Sequence, residues 1–294
     1  MRIAISGATG FIGSALSRKL TATGHDVHHL VRRDPRNSAE IEWHPKSGHL
    51  DPTALTGMDA VVHLAGAGIG DRPWTAAYRR ELNDSRELGT RTVATALAAM
   101  DQPPRVLVSA SAVGYYGDTG DHSVDETALR GKGFLAELVE AWEAAAEPAK
   151  EAGIRVVHPR SGLVMAPTGG IAGKLRPLFR LGLGARLGNG LQWMSWISLH
   201  DEVAALIKVI EDDTLSGPVN LVAPQPVRNA DFTRIFARAL NRPAPLMVPA
   251  PVLRLALRDL ADEALLAGQR VRPAKLRAAG FPYRHDTLAA ALKG

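Results

Sequence analysis

The stretch Gly7-Ala8-Thr9-Gly10-Phe11-Ile12-Gly13 decides how the rest of the chain is read. It follows a short apolar run, Ile3-Ala4-Ile5, and opens an amphipathic segment carrying Ile12, Ala15, Leu16 and Leu20. The pattern is a strand, a glycine turn and a helix in immediate succession. Gly7 lets the chain leave the strand in a tight turn. Gly10 lets backbone approach a pyrophosphate with no Cβ in the way. Gly13 lets the helix pack close to the sheet. Free N–H groups and the helix dipole then favour an anion at this N-terminus. The position right after a strand is the context a dinucleotide-binding turn requires. The alternative is a glycine turn with only a structural role.

Working outward, residues 26–31 (Asp-Val-His-His-Leu-Val) read as the second strand, and Arg32 and Arg33 follow it at once. The end of this strand is where a dinucleotide fold reads the ribose 2′ position. An acidic residue there accepts from the hydroxyl of NAD, whereas arginine suits the 2′-phosphate of NADP. Two arginines predict NADP(H); a solvated basic turn is the alternative. His28 and His29 invite a metal, but adjacent strand side chains point to opposite faces and cannot chelate together. No metal is expected.

The first half of the chain alternates strand and helix, which predicts a parallel sheet with helices on both faces. Residues 41–51 read as a short hairpin around Pro45-Lys46-Ser47-Gly48. Ala60 to Leu64 is the next strand, ending in Ala65-Gly66-Ala67-Gly68, small residues that let a cofactor lie across the sheet edge. A helix is expected from about Thr75 to Met100, then a strand at Arg105 to Ser109, a helix from Gly133 to Ala152 distorted near Pro148, and a fifth strand at Ile154 to His158. After residue 166 the alternation breaks. A helix over 203–211, a strand at 219–221 and an amphipathic helix with Leu253, Leu257, Leu260 and Leu265 complete the pattern.

Composition narrows the function. The 294 residues are 46% hydrophobic and 22% charged, ordinary for a globular protein, and no apolar run approaches a membrane span. Cysteine is absent, which removes disulfides, thiolate catalysis and cysteine-ligated zinc together. With no room before the first strand for a signal peptide, a cytoplasmic location is expected. The net charge of +5 is spread among acidic residues rather than clustered, so neither nucleic acid nor membrane is expected as a partner. The expected partner is a small-molecule substrate, and the expected state a monomer or homodimer.

The G-x-x-G-x-x-G spacing resembles the extended short-chain dehydrogenase/reductase superfamily. GATGFIG at 7–13, HLAG at 63–66, SASAVGYYG at 109–117, HPRSGLV at 158–164 and GNGLQWMSWISLHD at 188–201 together resemble an atypical branch of it. Members of that branch are usually called epimerase-family proteins of unknown substrate. RPWTAAYRRELNDSRELGT at 72–90 and LADEALLAGQRVRPAKLRAAGF at 260–281 resemble this NAD(P)-dependent epimerase/dehydratase-like branch specifically, including its small C-terminal extension of the DUF1731 type. The resemblance implies an α/β fold: a Rossmann-type doubly wound parallel sheet with a smaller C-terminal substrate-side lobe. Residues 1–165 would bind NADP(H), parts of 195–225 completing the sheet. Residues 166–294 would form the lobe, with 245–294 as the extension.

The superfamily usually works with Ser/Thr, Tyr and Lys, the last two at i and i+4 on one helix face. Tyrosine moves a proton to or from the substrate oxygen, lysine lowers its pKa, and serine hydrogen-bonds the substrate. Ser111 matches the serine. None of Tyr78, Tyr115, Tyr116 and Tyr283 has lysine four residues on, and where the pair is expected the chain has Phe134 and Leu138. Tyr115 and Tyr116, on the loop after Ser111, are the candidate replacements, with Lys132 and Glu137 next in line. Each also has a bland reading: packing for the tyrosines, solvation for the charged pair.

The resemblance also implies cofactor contacts. Thr9, Phe11 and Ile12 join Gly7, Gly10 and Gly13 at the pyrophosphate. Val31, Arg32 and Arg33 should meet the adenosine end, with Leu64, Ala65 and Gly66 beneath it. Arg86 is expected to pair with phosphate or with Glu81. Ser109, Arg160 and Leu163 should lie toward the nicotinamide. Gln192, Trp193 and Trp196 are candidates for substrate contact, with core packing as the alternative for the two tryptophans. The leading expectation is an NADP(H)-dependent oxidoreductase or isomerase with altered proton-transfer residues. The second is an NADP(H)-binding sensor or scaffold without turnover. A hydrolase finds no G-x-S-x-G elbow to support it.

Overall fold

The computed structural model describes residues 1–293. The first strand, β1 (Arg2–Ser6), leads through the glycine turn into α1 (Phe11–Ala22). Then follow β2 (Asp26–Val31), β3 (Glu40–Glu42), β4 (Ala60–His63), α2 (Ala76–Ala98) and β5 (Val106–Ser109). Beyond these come α3 (Phe134–Ala144), α4 (Glu147–Glu151), β6 (Arg155–Ser161), α5 (Gly170–Arg180), α6 (Leu199–Glu211), β7 (Gly217–Leu221), α7 (Asn229–Ala239) and α8 (Ala250–Leu257). The strands lie in the order β7-β6-β5-β4-β1-β2-β3. Every pairing from β3 to β6 is parallel.

That order makes the sheet doubly wound. The chain moves outward from β1 to β3 on one side, then resumes at β4 on the other. The reversal leaves a crevice beside β1 at the carboxyl ends of the strands, where open α/β sheets bind ligands. Burial explains why β4 and β5 are apolar up to their last residues, His63 and Ser109: all four residues of each are buried, as strands covered on both faces require.

The chain divides into two compact units. The first comprises 1–111, 138–159 and 206–219 and contains the glycine turn. Its core includes Trp43, Leu55, Val61, Val93, Leu97, Leu107 and Val156. The second comprises 112–137, 160–205 and 220–294. Its core gathers Met165, Phe179, Trp196, Phe232, Phe236 and Leu288. No described helix is long and apolar enough to cross a membrane.

Three local expectations change. The 41–51 hairpin shrinks to one antiparallel bridge, His44 to His49, because Glu40–Glu42 joins the parallel sheet beside β2. The 133–152 helix is two helices, broken after Ala144; Pro148 lies in the first turn of α4, where its missing N–H costs nothing. The helix through Leu253 and Leu265 stops at Leu257, where Arg258 takes a φ of 52°, and a six-residue π-helical turn follows at Ala261–Leu266.

Candidate functional site

In the first unit, the glycine turn is fixed by backbone packing. Gly7 has a φ of 69°, and a Cβ there would lie 2.9 Å from the Leu64 carbonyl carbon and the Ala65 nitrogen. A Cβ on Gly13 would lie 2.2 Å from the Gly7 oxygen. On Gly10 it would meet only the Gly7 oxygen, at 3.1 Å, so this residue's open side faces away from the protein. The Gly10 amide closes the turn on the Gly7 carbonyl at 2.9 Å. The N-cap of α1 is Gly10, without a side-chain cap and with no acidic residue in the first turn. Among the described residues the Phe11 and Ile12 amides have no acceptor, so the positive end of α1 is open to an anion. Thr9 and Gly10 are exposed beside it.

Ser6 ties the turn to β4. Its Oγ accepts from the Leu64 and Ala65 amides at 3.1 and 3.3 Å and lies 2.7 Å from His63 Nδ1. With two amides on its lone pairs, the hydroxyl donates to the imidazole. Burial pulls the His63 pKa down to about 4, so the ring is neutral and packs edge-on against Trp43.

After β2, Arg33 forms a two-point ion pair with Glu40, at 2.8 and 2.6 Å. Glu40 also accepts from the Arg36 amide, and hydrogen bonding, Arg33 first, holds its pKa down at about 2. Arg32 is exposed beside half-buried Val31 and has no partner among the described residues.

Arg86 is buried. It donates to the Ala67 carbonyl at 2.9 Å and to the Leu82 carbonyl at 3.1 Å, with its guanidinium 5.0 Å from the Trp142 ring centre. Burial lowers its pKa to about 10, which leaves it charged. Its Nε is buried without a partner. Glu81 binds Arg72 instead, at 3.2 Å. Gly66 lies on Arg86, where a Cβ would touch its stem at 3.6 Å. Ser109 is fully buried and its Oγ lacks a partner; Ser111 donates to Glu143 Oε1 at 2.6 Å.

In the second unit, Tyr116 is buried and its hydroxyl is engaged twice. It donates to Asn220 Oδ1 at 2.7 Å and accepts from Arg160 Nη1 at 3.1 Å. Burial, outweighing Arg160, raises its pKa. The half-buried Tyr115 ring stacks on Arg160, with Cζ 3.5 Å from the ring centre. Among the described residues no hydrogen bond engages the Tyr115 hydroxyl. Leu163, half-buried, starts a short strand (Leu163–Met165) paired in parallel with Trp196–Ser198. Trp196 is fully buried and donates to the Gln225 carbonyl at 2.8 Å, Gln192 donates to two carbonyls, and Trp193 donates to Asp121. Lys132 and Glu137 are exposed.

Several carboxylates have no local pattern that would have singled them out. Glu126 accepts from the Asn220, Ala274 and Lys275 amides. Glu263, in the C-terminal extension, accepts from the Phe134 and Leu135 amides at 2.8 and 2.9 Å and so caps α3. Glu202 accepts from Ser161 Oγ at 2.6 Å; burial raises its pKa to about 8, and its other oxygen has no partner. Asp201, with His200 and His285, brings ligand-type atoms within 4.8 Å of one another. Its oxygens accept from Ser198 Oγ and from the Arg284 and His285 amides, which fastens the C-terminal segment.

A family model described as the NAD dependent epimerase/dehydratase family matches residues 3–221. The chain belongs to this epimerase/dehydratase family. A second model, a domain of unknown function (DUF1731), matches residues 248–294, the extension that carries Glu263. The epimerase family protein Mb2239 of Mycobacterium bovis is 52% identical over 290 residues, covering 99% of this chain and 96% of the relative. The crystal structure of the human epimerase family protein SDR39U1 with NADPH superposes with a TM-score of 0.90 at 35% identity, covering 100% of this chain and 98% of the other. A Thermus thermophilus UDP-glucose 4-epimerase in complex with NAD shares the fold at a TM-score of 0.76 and 20% identity, covering 100% and 97% of the two chains. The Rossmann-type α/β architecture is therefore that of the epimerase/dehydratase family.

Proposed function

We propose that the chain is an NADP(H)-binding oxidoreductase or isomerase acting on a small molecule. The observation that carries the reading is the N-terminus of α1. Among the described residues its Phe11 and Ile12 amides are unpaired, no acid neutralises its first turn, backbone excludes a side chain at Gly7 and Gly13, and Gly10 leaves its open side clear. Such a terminus fits a pyrophosphate. The reading is supported by the 35% identical human relative, whose structure holds NADPH. Arg32 is the exposed cation for a 2′-phosphate, and Arg33 joins it when Glu40 releases it. Buried Arg86, with an unpaired Nε and no carboxylate partner in view, adds positive charge beneath Gly66.

The nicotinamide group supplies or accepts a hydride when bound. The protein must then move a proton. Of the two candidate phenols Tyr115 has the uncommitted hydroxyl, while that of Tyr116 holds Asn220 and Arg160 in place. A second reading, binding without turnover, is favoured by Phe134 and Leu138 standing where the superfamily carries its Tyr and Lys. Incubating the protein and NADPH with a panel of small carbonyl compounds separates the two. Loss of absorbance at the reduced-nicotinamide band with any compound supports the enzyme; a protein that binds NADPH tightly and consumes none across the panel supports the silent binder.

A further inference from the structure

The contact between Ser111 and Glu143 points to the route by which a proton leaves the substrate. Ser111 stands two residues past β5, 4% exposed. Glu143 stands near the end of α3, five residues beyond Leu138, and is half-buried. Their 2.6 Å separation is a short hydrogen bond in which the Ser111 hydroxyl donates to the carboxylate. A serine hydroxyl has one proton and two lone pairs. With its proton held by Glu143, Ser111 offers lone pairs to any third group. In this state it is set to accept from an alcohol, and with the proton on Glu143 the same pair returns a proton to a carbonyl in the reverse direction. Glu143, being half-buried, links the buried hydroxyl to the accessible surface.

Resting on the cofactor reading above, we propose that Ser111 and Glu143 are a proton relay that replaces the missing Tyr and Lys, and that the substrate is an alcohol oxidised with NADP⁺. The substrate O–H passes its proton to Ser111 Oγ as the Ser111 proton passes to Glu143 Oε1. The O–H electron pair becomes the second bond of the new carbonyl. The neighbouring C–H bond breaks, and its hydrogen leaves with both electrons for the oxidised nicotinamide. The alcohol is oxidised by two electrons, NADP⁺ is reduced to NADPH, and Glu143 returns its proton to water. Ser111 touches the substrate; Glu143 acts through Ser111.

The test uses the full chain and a panel of alcohols with NADP⁺, following NADPH formation, and the carbonyl panel with NADPH for the reverse direction. Glu143→Gln keeps an amide oxygen for Ser111 to donate to but cannot take a proton. It should lower kcat by at least about 100-fold, the lower end for general acid–base help. NADP⁺ affinity by calorimetry and the melting temperature should stay at parent values. Glu143→Asp should recover part of the rate. In mixed light and heavy water the parent should show a curved dependence of rate on deuterium content, two protons being in flight, and Ser111→Ala should lose it. A Glu143→Gln variant with parent kcat overturns the relay, as does a parent that binds NADP⁺ yet turns over neither panel. A parent that binds no nicotinamide dinucleotide overturns the cofactor reading itself, an outcome calorimetry separates from the other two.

Discussion

Replacing Gly13 by alanine tests the account of the glycine turn at its tightest point. The new Cβ would lie 2.2 Å from the Gly7 oxygen, 2.9 Å from its carbonyl carbon and 3.0 Å from Ala8 Cα. Ordinary contact begins near 3.4 Å, so the methyl is more than 1 Å too close. All three neighbours are backbone, and no side chain can swing away. Either α1 or the 7–10 turn must move by about 1 Å. Overpacking of this kind costs about 1–3 kcal/mol. In a chain of this size that corresponds to a fall in Tm of about 2–5 °C. The same displacement carries the Phe11 and Ile12 amides away from the phosphate position, so NADPH affinity should fall by about tenfold or more. Circular dichroism melting and calorimetric titration read the two effects. Gly173→Ala, in α5 with nothing within 4 Å of its Cβ, is the control and should keep or raise Tm. A Gly13→Ala protein with parent Tm and parent NADPH affinity would refute the reasoning, since it would mean that the turn does not hold the geometry described.

Other outcomes follow from single contacts. Arg32→Ala should weaken NADPH by about 10- to 100-fold, the worth of one charge-assisted hydrogen bond, and leave NADH nearly unchanged in parallel titrations. Glu202 is protonated in the folded state up to about pH 8 but ionised above about 4.5 when unfolded, so the folded chain holds the extra proton and stability falls as pH rises across that window. Urea melts from pH 5 to 8 should show the decline, at most about 1.4 kcal/mol per pH unit, and Glu202→Gln should flatten it. Glu263→Ala uncaps α3 and should cost about 0.5–2 kcal/mol in the same melts.

Much of the first unit was legible in the sequence because its signals are local. A strand followed by GATGFIG, apolar runs buried on both faces, and a 23-residue helix with one stripe each announce themselves within a short window. The break after Leu257 was not legible, because the apolar spacing continues through Leu260 and Leu265 while Arg258 turns to positive φ. The carboxylates were missed for a different reason. Glu143, Glu202, Glu126 and Glu263 sit in ordinary helical or loop sequence, and their partners lie 32, 41, 94 and 129 residues away. No spacing rule reaches that far. The two candidate tyrosines were equivalent in sequence, and only the hydrogen bonds to Asn220 and Arg160 distinguish them.

Calorimetric titration of the parent protein with NADPH and, separately, NADH decides whether the turn after β2 selects the 2′-phosphate. One site per chain is expected, with NADPH bound at least tenfold more tightly than NADH and the preference lost in Arg32→Ala. Equal affinity for the two nucleotides would contradict the reading of the turn after β2, and binding of neither would contradict the claim as a whole.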